Sequence, residues 1–175
     1  MYYVIQVKTG YEDRTIEAID RQLGGKDGFD VFSPYRLINR KYRGVWKEVK
    51  ERCFPGYVFV ETDTPKDLFF DLYWVPEFTK LLGREPLTYN FVPLNPDEAR
   101  MVDILYSENN DRITTISDIV VKEGQIVRIL NGPLQGMKSR IKKVNLHKRS
   151  VTVEFMMCGR LVSTEVGINI ITDIL

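Results

Sequence analysis

An α+β N-terminal domain followed by a small all-β barrel is the architecture that this 175-residue sequence predicts, and three observations carry the prediction. Helix-spaced and strand-like apolar patterns alternate before residue 107. Short strands separated by glycine-containing turns fill the chain after residue 118. Between them the composition turns to Ser, Asn, Asp and Thr, including Glu108-Asn109-Asn110-Asp111. The expected domains are 1–106 and 119–175, joined by a linker at 107–118. The length suits two small domains, and a hydrophobic content of 43% is enough for real cores.

Residues 2–8 are β-branched and aromatic and read as a buried strand, stopped by Gly10. From Tyr11, the apolar positions Ile16, Ile19 and Leu23 recur at helical spacing. Glu12 and Asp13 suit the first turn of that helix, and Gly24-Gly25 closes it. A strand follows at Phe29–Phe32, ended by Pro34. Arg36 to Lys50 is mostly charged, with a turn at Gly44 flanked by Tyr42, Val45 and Trp46, and predicts a long, solvated β-hairpin. Phe54 to Val60 predicts an apolar strand that begins through Pro55-Gly56. Pro65 to Trp74 predicts helix, Phe78 to Leu82 extended chain, and Pro96-Asp97-Glu98 opens a helix running to Tyr106. The barrel pattern comprises Ile126–Leu130, a Gly132-Pro133 turn, Met137–Val144, a turn over Leu146–Arg149, Val151–Met156, a Cys158-Gly159 turn and Leu161–Val166.

The net charge is +1, but it divides unevenly. Residues 1–115 hold 16 Lys+Arg and 19 Asp+Glu, a balance of −3, and residues 116–175 hold 9 and 5, a balance of +4. Between 122 and 149, Lys122, Arg128, Lys138, Arg140, Lys142, Lys143, Lys148 and Arg149 face only Glu123. A second basic stretch places Arg36, Arg40, Lys41, Arg43, Lys47, Lys50 and Arg52 against Glu48 and Glu51.

Enzymatic readings find no support. There is no phosphate-cradling glycine loop, no Gly-x-Ser-x-Gly elbow and no second histidine beside His147 to act as a general base. The adjacent carboxylates Asp97 and Glu98 suit helix N-terminal charge compensation better than acid-base chemistry. Cys53 and Cys158 form neither a disulfide scaffold nor a metal cage, so no metal and no cofactor is expected. With no basic leader before a long apolar stretch and no apolar run of membrane-spanning length, the chain is expected to be cytoplasmic, without membrane contact.

The opening Tyr2-Tyr3-Val4-Ile5-Gln6 and the string Phe54-Pro55-Gly56-Tyr57-Val58 together resemble the NusG family of transcription elongation factors. The second half is similar to that family's KOW domain through Glu123-Gly124-Gln125-Ile126-Val127-Arg128-Ile129, Gly132-Pro133-Leu134-Gln135-Gly136 and Gly159-Arg160. The resemblance runs through nearly the whole chain. It implies a NusG-type (NGN) domain followed by a KOW (SH3-like) barrel. It also implies that the first domain docks an apolar concavity on the clamp helices of RNA polymerase and suppresses pausing. The polymerase-binding residues it implies are Tyr2, Tyr3, Phe54 and Tyr57, with Pro34 and Tyr35 nearby, as a partly exposed aromatic cluster.

The sequence departs from the family in two places. Relatives often carry small polar residues before the Phe78 strand, where they touch non-template DNA; here Tyr73-Trp74-Val75-Pro76 stands there. A stacking contact of Trp74 with an exposed DNA base is one reading, and half-buried packing is the favoured one. Arg40, Lys41 and Arg43 would lie near DNA if docking follows the family. The usual aromatic before the Gly-Arg of the KOW domain is Cys158, which puts contacts with a ribosomal protein or the termination factor Rho in doubt.

The barrel instead carries cations. On a strand period, Met137, Ser139 and Ile141 face one side while Lys138, Arg140 and Lys142 face the other. Lys143, Asn145, His147, Lys148 and Arg149 cluster around the next turn. These eight residues are the expected RNA-binding set, with the cations spanning phosphates and Asn145 or an arginine reading base edges of a distorted hairpin or bulge. The chain therefore resembles a specialised paralogue of the LoaP antiterminator type: a monomer holding polymerase with one domain and a nascent RNA hairpin with the other. The alternatives are a general elongation factor whose barrel binds the ribosome or Rho, and a free-standing RNA-binding protein.

Overall fold

The computed structural model describes residues 1–23, 27–63, 68–75, 80–81, 92–106 and 111–172. Gly24-Gly25, Pro65, Pro76, Phe78 and the start of the polar segment at Ser107–Asn110, each given a role above, lie outside the described residues. The chain forms two compact units, each drawn from separate stretches of sequence. The first comprises Met1–Ser33, Phe54–Ala99 and Met157–Arg160; the second comprises Pro34–Cys53, Arg100–Met156 and Leu161–Leu175.

In the first unit, β1 (Tyr2–Gln6), β2 (Phe29–Phe32), β5 (Tyr57–Thr62) and the short β6 (Lys80–Leu81) form a sheet in the order β2-β5-β1-β6. β1 pairs antiparallel with β5, Val4 opposite Phe59, and β5 with β2. Alternation sends Tyr3, Ile5 and Val7, with Val58 and Val60, to one face. There they share a core with Ile19 and Leu23 of α1 (Glu12–Leu23) and Leu68 and Leu72 of α2 (Leu68–Tyr73). The helix expected from Ile16, Ile19 and Leu23 is α1, with Ile19 fully buried and Ile16 partly so.

The Phe-Pro-Gly-Tyr string is a turn, and the strand starts only at Tyr57. Tyr57 N–H donates to the Phe54 carbonyl at 3.1 Å, with Pro55 at the first central position and Gly56 at φ +86° at the second, the pattern of a type II turn. The Glu12 carboxylate, 2% exposed, accepts the Gly56 N–H at 2.6 Å on one oxygen and the Gly10 N–H at 2.8 Å on the other. A residue that composition assigns to helix-dipole compensation thus also clamps two loops.

Helix α3 (Pro96–Tyr106) begins as expected. Asn95 Oδ1 accepts the Glu98 N–H at 2.9 Å and Glu98 Oε2 accepts the Asn95 N–H at 3.0 Å, a reciprocal capping box. The Asp97-Glu98 pair is therefore explained by the helix start.

The second unit holds two sheets. A hairpin of β3 (Tyr35–Tyr42) and β4 (Val45–Arg52) is joined by β7 (Ile113–Thr114) in the order β4-β3-β7. A curled sheet of β8 (Ser117–Lys122), β9 (Gln125–Ile129), β10 (Ile141–Asn145), β11 (Ser150–Met157) and β12 (Arg160–Ile170) runs in the order β10-β11-β12-β8-β9, its hairpin tip Met157–Arg160 belonging to the first unit. Two-residue turns with both residues at positive φ close β3–β4 (Arg43, Gly44), β8–β9 (Glu123, Gly124) and β11–β12 (Cys158, Gly159), the geometry that matches strand twist.

Three expectations for this unit are corrected. The polar stretch read as a linker contains β7 and the start of β8. Its Thr114 and Ser117 are fully buried and hydrogen-bonded, Ser117 Oγ accepting the Leu134 N–H at 3.1 Å, so polarity here does not mean solvent. Lys138–Arg140 is a 3-10 turn and the strand starts at Ile141; buried Leu134 and Met137 are three positions apart, the period of successive 3-10 turns. The basic hairpin is solvated on one side only: Ile38 is fully buried and Asn39 is 9% exposed on β3, while Lys47, Glu48 and Lys50 of β4 are exposed.

An ionic cluster organises the base of that hairpin. Arg40 donates to both carboxylate oxygens of Glu51 at 2.8 Å, and Arg36 donates to Glu51 at 3.1 Å and to Thr164 Oγ1 at 3.0 Å. Glu165 lies 3.6 Å from Arg36 and 3.4 Å from Arg40. The hydrogen bonds from Arg40, with help from Arg36, bring the Glu51 carboxyl down from 4.5 to about 2, against the opposing effect of burial.

Two outcomes follow from these contacts. Replacing Glu12 with Gln puts an NH2 against an N–H donor and is expected to lower unfolding free energy by about 1–3 kcal/mol in urea titration; an unchanged midpoint would show that the clamp contributes nothing. Because the folded Glu51 carboxyl is the more acidic, its contribution is complete above pH 4.5 and is lost as pH falls toward 2. Glu51→Gln should therefore cost up to about 1 kcal/mol at neutral pH, given partial solvent screening, with the gap from the parent closing in acid.

Candidate functional site

The aromatic residues of the first unit divide between the faces of its sheet. Tyr3 packs into the helix-covered core, where burial raises its hydroxyl pKa, so it cannot share a surface with Tyr2. On the other face Tyr2 meets Phe32 edge-on at 6.2 Å, Phe32 stacks on Phe59 at 5.6 Å, and Phe54 tilts against Phe59 at 5.9 Å. The structure thus brings Tyr2 and Phe54 together through Phe32 and Phe59, two residues that the sequence reading did not single out. It also corrects the expected exposure: Tyr2 is 8% and Phe54 3% exposed, and Tyr57 is the half-buried ring among the described aromatics of that face. Rings that bury so much area gain more from each other than from water. Pro34 and Tyr35 lie in the second unit; Pro34 is buried, and Lys50 Nζ and the Arg52 guanidinium sit 4.3 and 4.6 Å from the Tyr35 ring centre.

Trp74 overturns the packing expectation. It is 72% exposed and stands edge-on to Tyr73, itself 63% exposed, at 5.5 Å, with Phe70 exposed on the same helix.

In the second unit the cations sort into two kinds. Arg36 and Arg40 are held by Glu51 and Glu165, which corrects Arg40 as a residue open to DNA. Lys41 and Arg43 are exposed near the hairpin tip. Lys138 and Arg140 are exposed on the 3-10 turn, Lys142 and Lys143 on the edge strand β10, and His147 and Lys148 on the following turn. Lys142 is 3.7 Å from Glu154 with its side chain 65% exposed, a weak pair. Asn145 Oδ1 accepts the Lys148 N–H at 2.9 Å, so that oxygen shapes the turn and base reading would fall to the amide nitrogen. Arg149 is turned inward, its guanidinium 4.5 Å from the Trp46 ring centre. Lysines on an edge strand also deter strand addition. That reading covers Lys142 and Lys143 but not the four exposed cationic or imidazole groups on the flanking turns.

Neither cysteine suits nucleophilic chemistry. Burial pushes the Cys53 thiol up to about 11, its Sγ lying 3.3 Å from Thr114 Oγ1. Burial, with the nearby Glu98 carboxylate, pushes Cys158 up to about 11 as well. Among the described residues no group of three His, Cys, Asp or Glu is placed to hold a metal, and no helix is long and apolar enough to cross a membrane.

Comparison with known proteins agrees with this arrangement. The family model described as "Transcription termination factor nusG" matches residues 1–103. Transcription termination/antitermination protein NusG of Lactococcus lactis is 30% identical over 99% of this chain and 92% of its own length. The protein of the same name from Bacillus subtilis is 29% identical over 91% and 90%. The solved structure "Domain interaction in Thermotoga maritima NusG" shares the fold, with TM-score 0.55 at 21% identity over 95% of this chain and 92% of that one. A family match over more than half the residues, with curated relatives similar nearly end to end, places the chain in the NusG family of transcription factors.

Proposed function

We propose that this protein is a transcription elongation and antitermination factor that holds RNA polymerase through its N-terminal NGN domain and a structured nascent RNA through a basic KOW-type barrel. The observation that carries the RNA half is the run of exposed groups Lys138, Arg140, Lys142, Lys143, His147 and Lys148 over one edge strand and its flanking turns. The division assigned is 1–106 chiefly for polymerase and 119–175 for RNA, the described part of the intervening 107–118 being built into the second unit through β7 and the start of β8. Polymerase contact is assigned to the Tyr2, Phe54 and Tyr57 face of the first unit, whose most accessible aromatic is Tyr57, and, in the second unit, to Pro34 and Tyr35. Trp74, Lys41 and Arg43 are the groups assigned to non-template DNA. The reading is of a monomer at work in the cytoplasm.

A second reading, a general elongation factor whose barrel binds a ribosomal protein or Rho, is favoured by relatives named for both termination and antitermination. It is opposed by the half-buried Cys158 where an aromatic anchor is expected.

Binding of the full chain to an RNA hairpin, followed as salt is raised, separates the two. About four phosphate contacts give a log–log slope of magnitude roughly 3–4, and removing Lys143 or Lys148 should lower it by about 0.7–0.9. A slope near zero, or equal binding of a scrambled unstructured RNA, removes the RNA assignment. In a polymerase pull-down, Tyr57→Ala should reduce capture by about tenfold or more if the ring is an interface anchor. Undiminished capture takes Tyr57 out of the interface.

A further inference from the structure

We infer that the second unit carries a pocket for a single unpaired RNA nucleotide, built around Trp46 between the β3–β4 hairpin and the turn after β10. This rests on the RNA reading above and adds to it a location, the hairpin's participation and a preference for an unpaired base; it moves Lys41 from the DNA set to the RNA set.

The pocket measures about 270 Å³ and is lined by Asn39, Arg40, Lys41, Trp46, His147 and Lys148. That is just under the roughly 300–1,000 Å³ of sites for drug-sized ligands, which suits one planar ring rather than an extended segment. Every lining residue belongs to the second unit. An indole, an imidazole and an amide offer stacking and hydrogen bonding, and among the described residues no carboxylate lines the space. Glu51 and Glu165 offset Arg40 from outside, whereas Lys41 and Lys148 are exposed, so the local balance favours a phosphate.

The parts are also held in place. Arg40 is fixed by two hydrogen bonds of 2.8 Å to Glu51, and Asn39 Nδ2 donates to Asn169 Oδ1 at 3.1 Å. The turn carrying His147 and Lys148 is closed by Asn145 Oδ1 and by the Arg149 N–H to the Leu146 carbonyl at 3.2 Å, and the Arg149 carbonyl accepts the Ile168 N–H at 3.0 Å. Arg149 lies 4.5 Å and Lys41 Nζ 5.8 Å from the Trp46 ring centre. Indole and guanidinium planes are both surfaces on which a splayed base stacks. Bases inside a duplex are already stacked and cannot enter, so a continuous stem would offer this pocket phosphates alone. The pocket shares its turn with the RNA-facing cations of β10, which is why RNA is the strand proposed.

The competing view is that the Arg149–Trp46 contact only braces the hairpin. The chain holds two tryptophans, so in a Trp74→Phe background the fluorescence is that of Trp46. Three probes are titrated into the full-length variant: a stem-loop RNA with an unpaired adenine bulge, the same stem without the bulge, and the DNA version of the bulged stem. Bulged RNA should quench Trp46 saturably and bind about 5- to 150-fold tighter than the plain stem, the range set by one stacked base. Trp46→Ala should abolish that preference and Trp46→Phe should keep most of it. If Trp46→Ala does not fold, His147→Ala, a surface change, decides: whatever contact both RNAs lose, the preference for bulged RNA over the plain stem must fall several-fold. Equal binding of both RNAs with the salt slope intact overturns this inference and leaves the RNA reading standing; no binding of either overturns both. A bulge preference that survives Trp46→Ala, an equal loss on both RNAs in His147→Ala, or tighter binding of the DNA overturns the pocket as assigned.

Discussion

The first unit depends on one buried carboxylate. Glu12 takes the N–H groups of Gly10 and Gly56, two amides that would otherwise be unpaired at the ends of β1 and before β5. A charged acceptor makes such bonds about twice as strong as neutral ones, and here the acceptor is closed to water. The clamp sets where the Phe54–Tyr57 turn sits, and Val7 N–H reinforces it by donating to the Gly56 carbonyl at 2.8 Å. The turn sets the register of β5 on β1, and register decides which aromatics face the helices and which face away. Gly56 has little freedom to change, because a Cβ there would stand 3.1 Å from Thr9 Oγ1 and 3.3 Å from the Val7 carbonyl, at a φ of +86°.

Net charge describes this protein poorly at either scale. The whole-chain value of +1 conceals a basic C-terminal part, and the charge of the hairpin conceals an internal cluster. Arg36 and Arg40 contribute to the formal sum, yet Glu51 and Glu165 cancel them within the fold. Lys50, Arg52 and Arg149 are placed against aromatic rings. The set on the turns and the edge strand stays open to a polyanion. Partly buried pairs hold their geometry, while solvated lysines are screened at long range and act at contact.

Much of the fold was legible from periodicity and punctuation. The β-branched and aromatic run of β1, the apolar spacing of α1, the Pro96-Asp97-Glu98 helix start and the glycine turns at Gly44 and Gly159 all act locally, so sequence alone exposes them. The misreadings share one cause, which is partners distant in the chain. Ser117 and Thr114 look like linker residues until Leu134 N–H and Cys53 supply their hydrogen bonds. Lys138–Arg140 fits a strand period until those residues are seen to form a 3-10 turn, with Met137 buried before it and Ser139 exposed. Tyr2 and Tyr3 look like one aromatic pair until the pleat sends them to opposite faces. Trp46 drew notice only as a turn flank, because its significance lies in Arg149 and His147, about a hundred positions on in the sequence. The cations of the site were legible as composition; which of them were already committed was not.

The two tryptophans show how the same side chain takes opposite roles by context. Trp74 stands exposed in the turn just after the short helix α2, with Tyr73 edge-on to it. Trp46 is half-buried, bounded by a twisted hairpin whose Arg40 is locked by Glu51 and by a turn fixed through main-chain hydrogen bonds. Ordering a free side chain on binding costs about 0.5–1.5 kcal/mol, comparable with the gain from stacking one base. A ligand at Trp74 must meet that cost at the moment of contact, whereas folding has already met it for Trp46, Arg40 and Arg149. Of the two rings, the less exposed one is therefore the better prepared to bind.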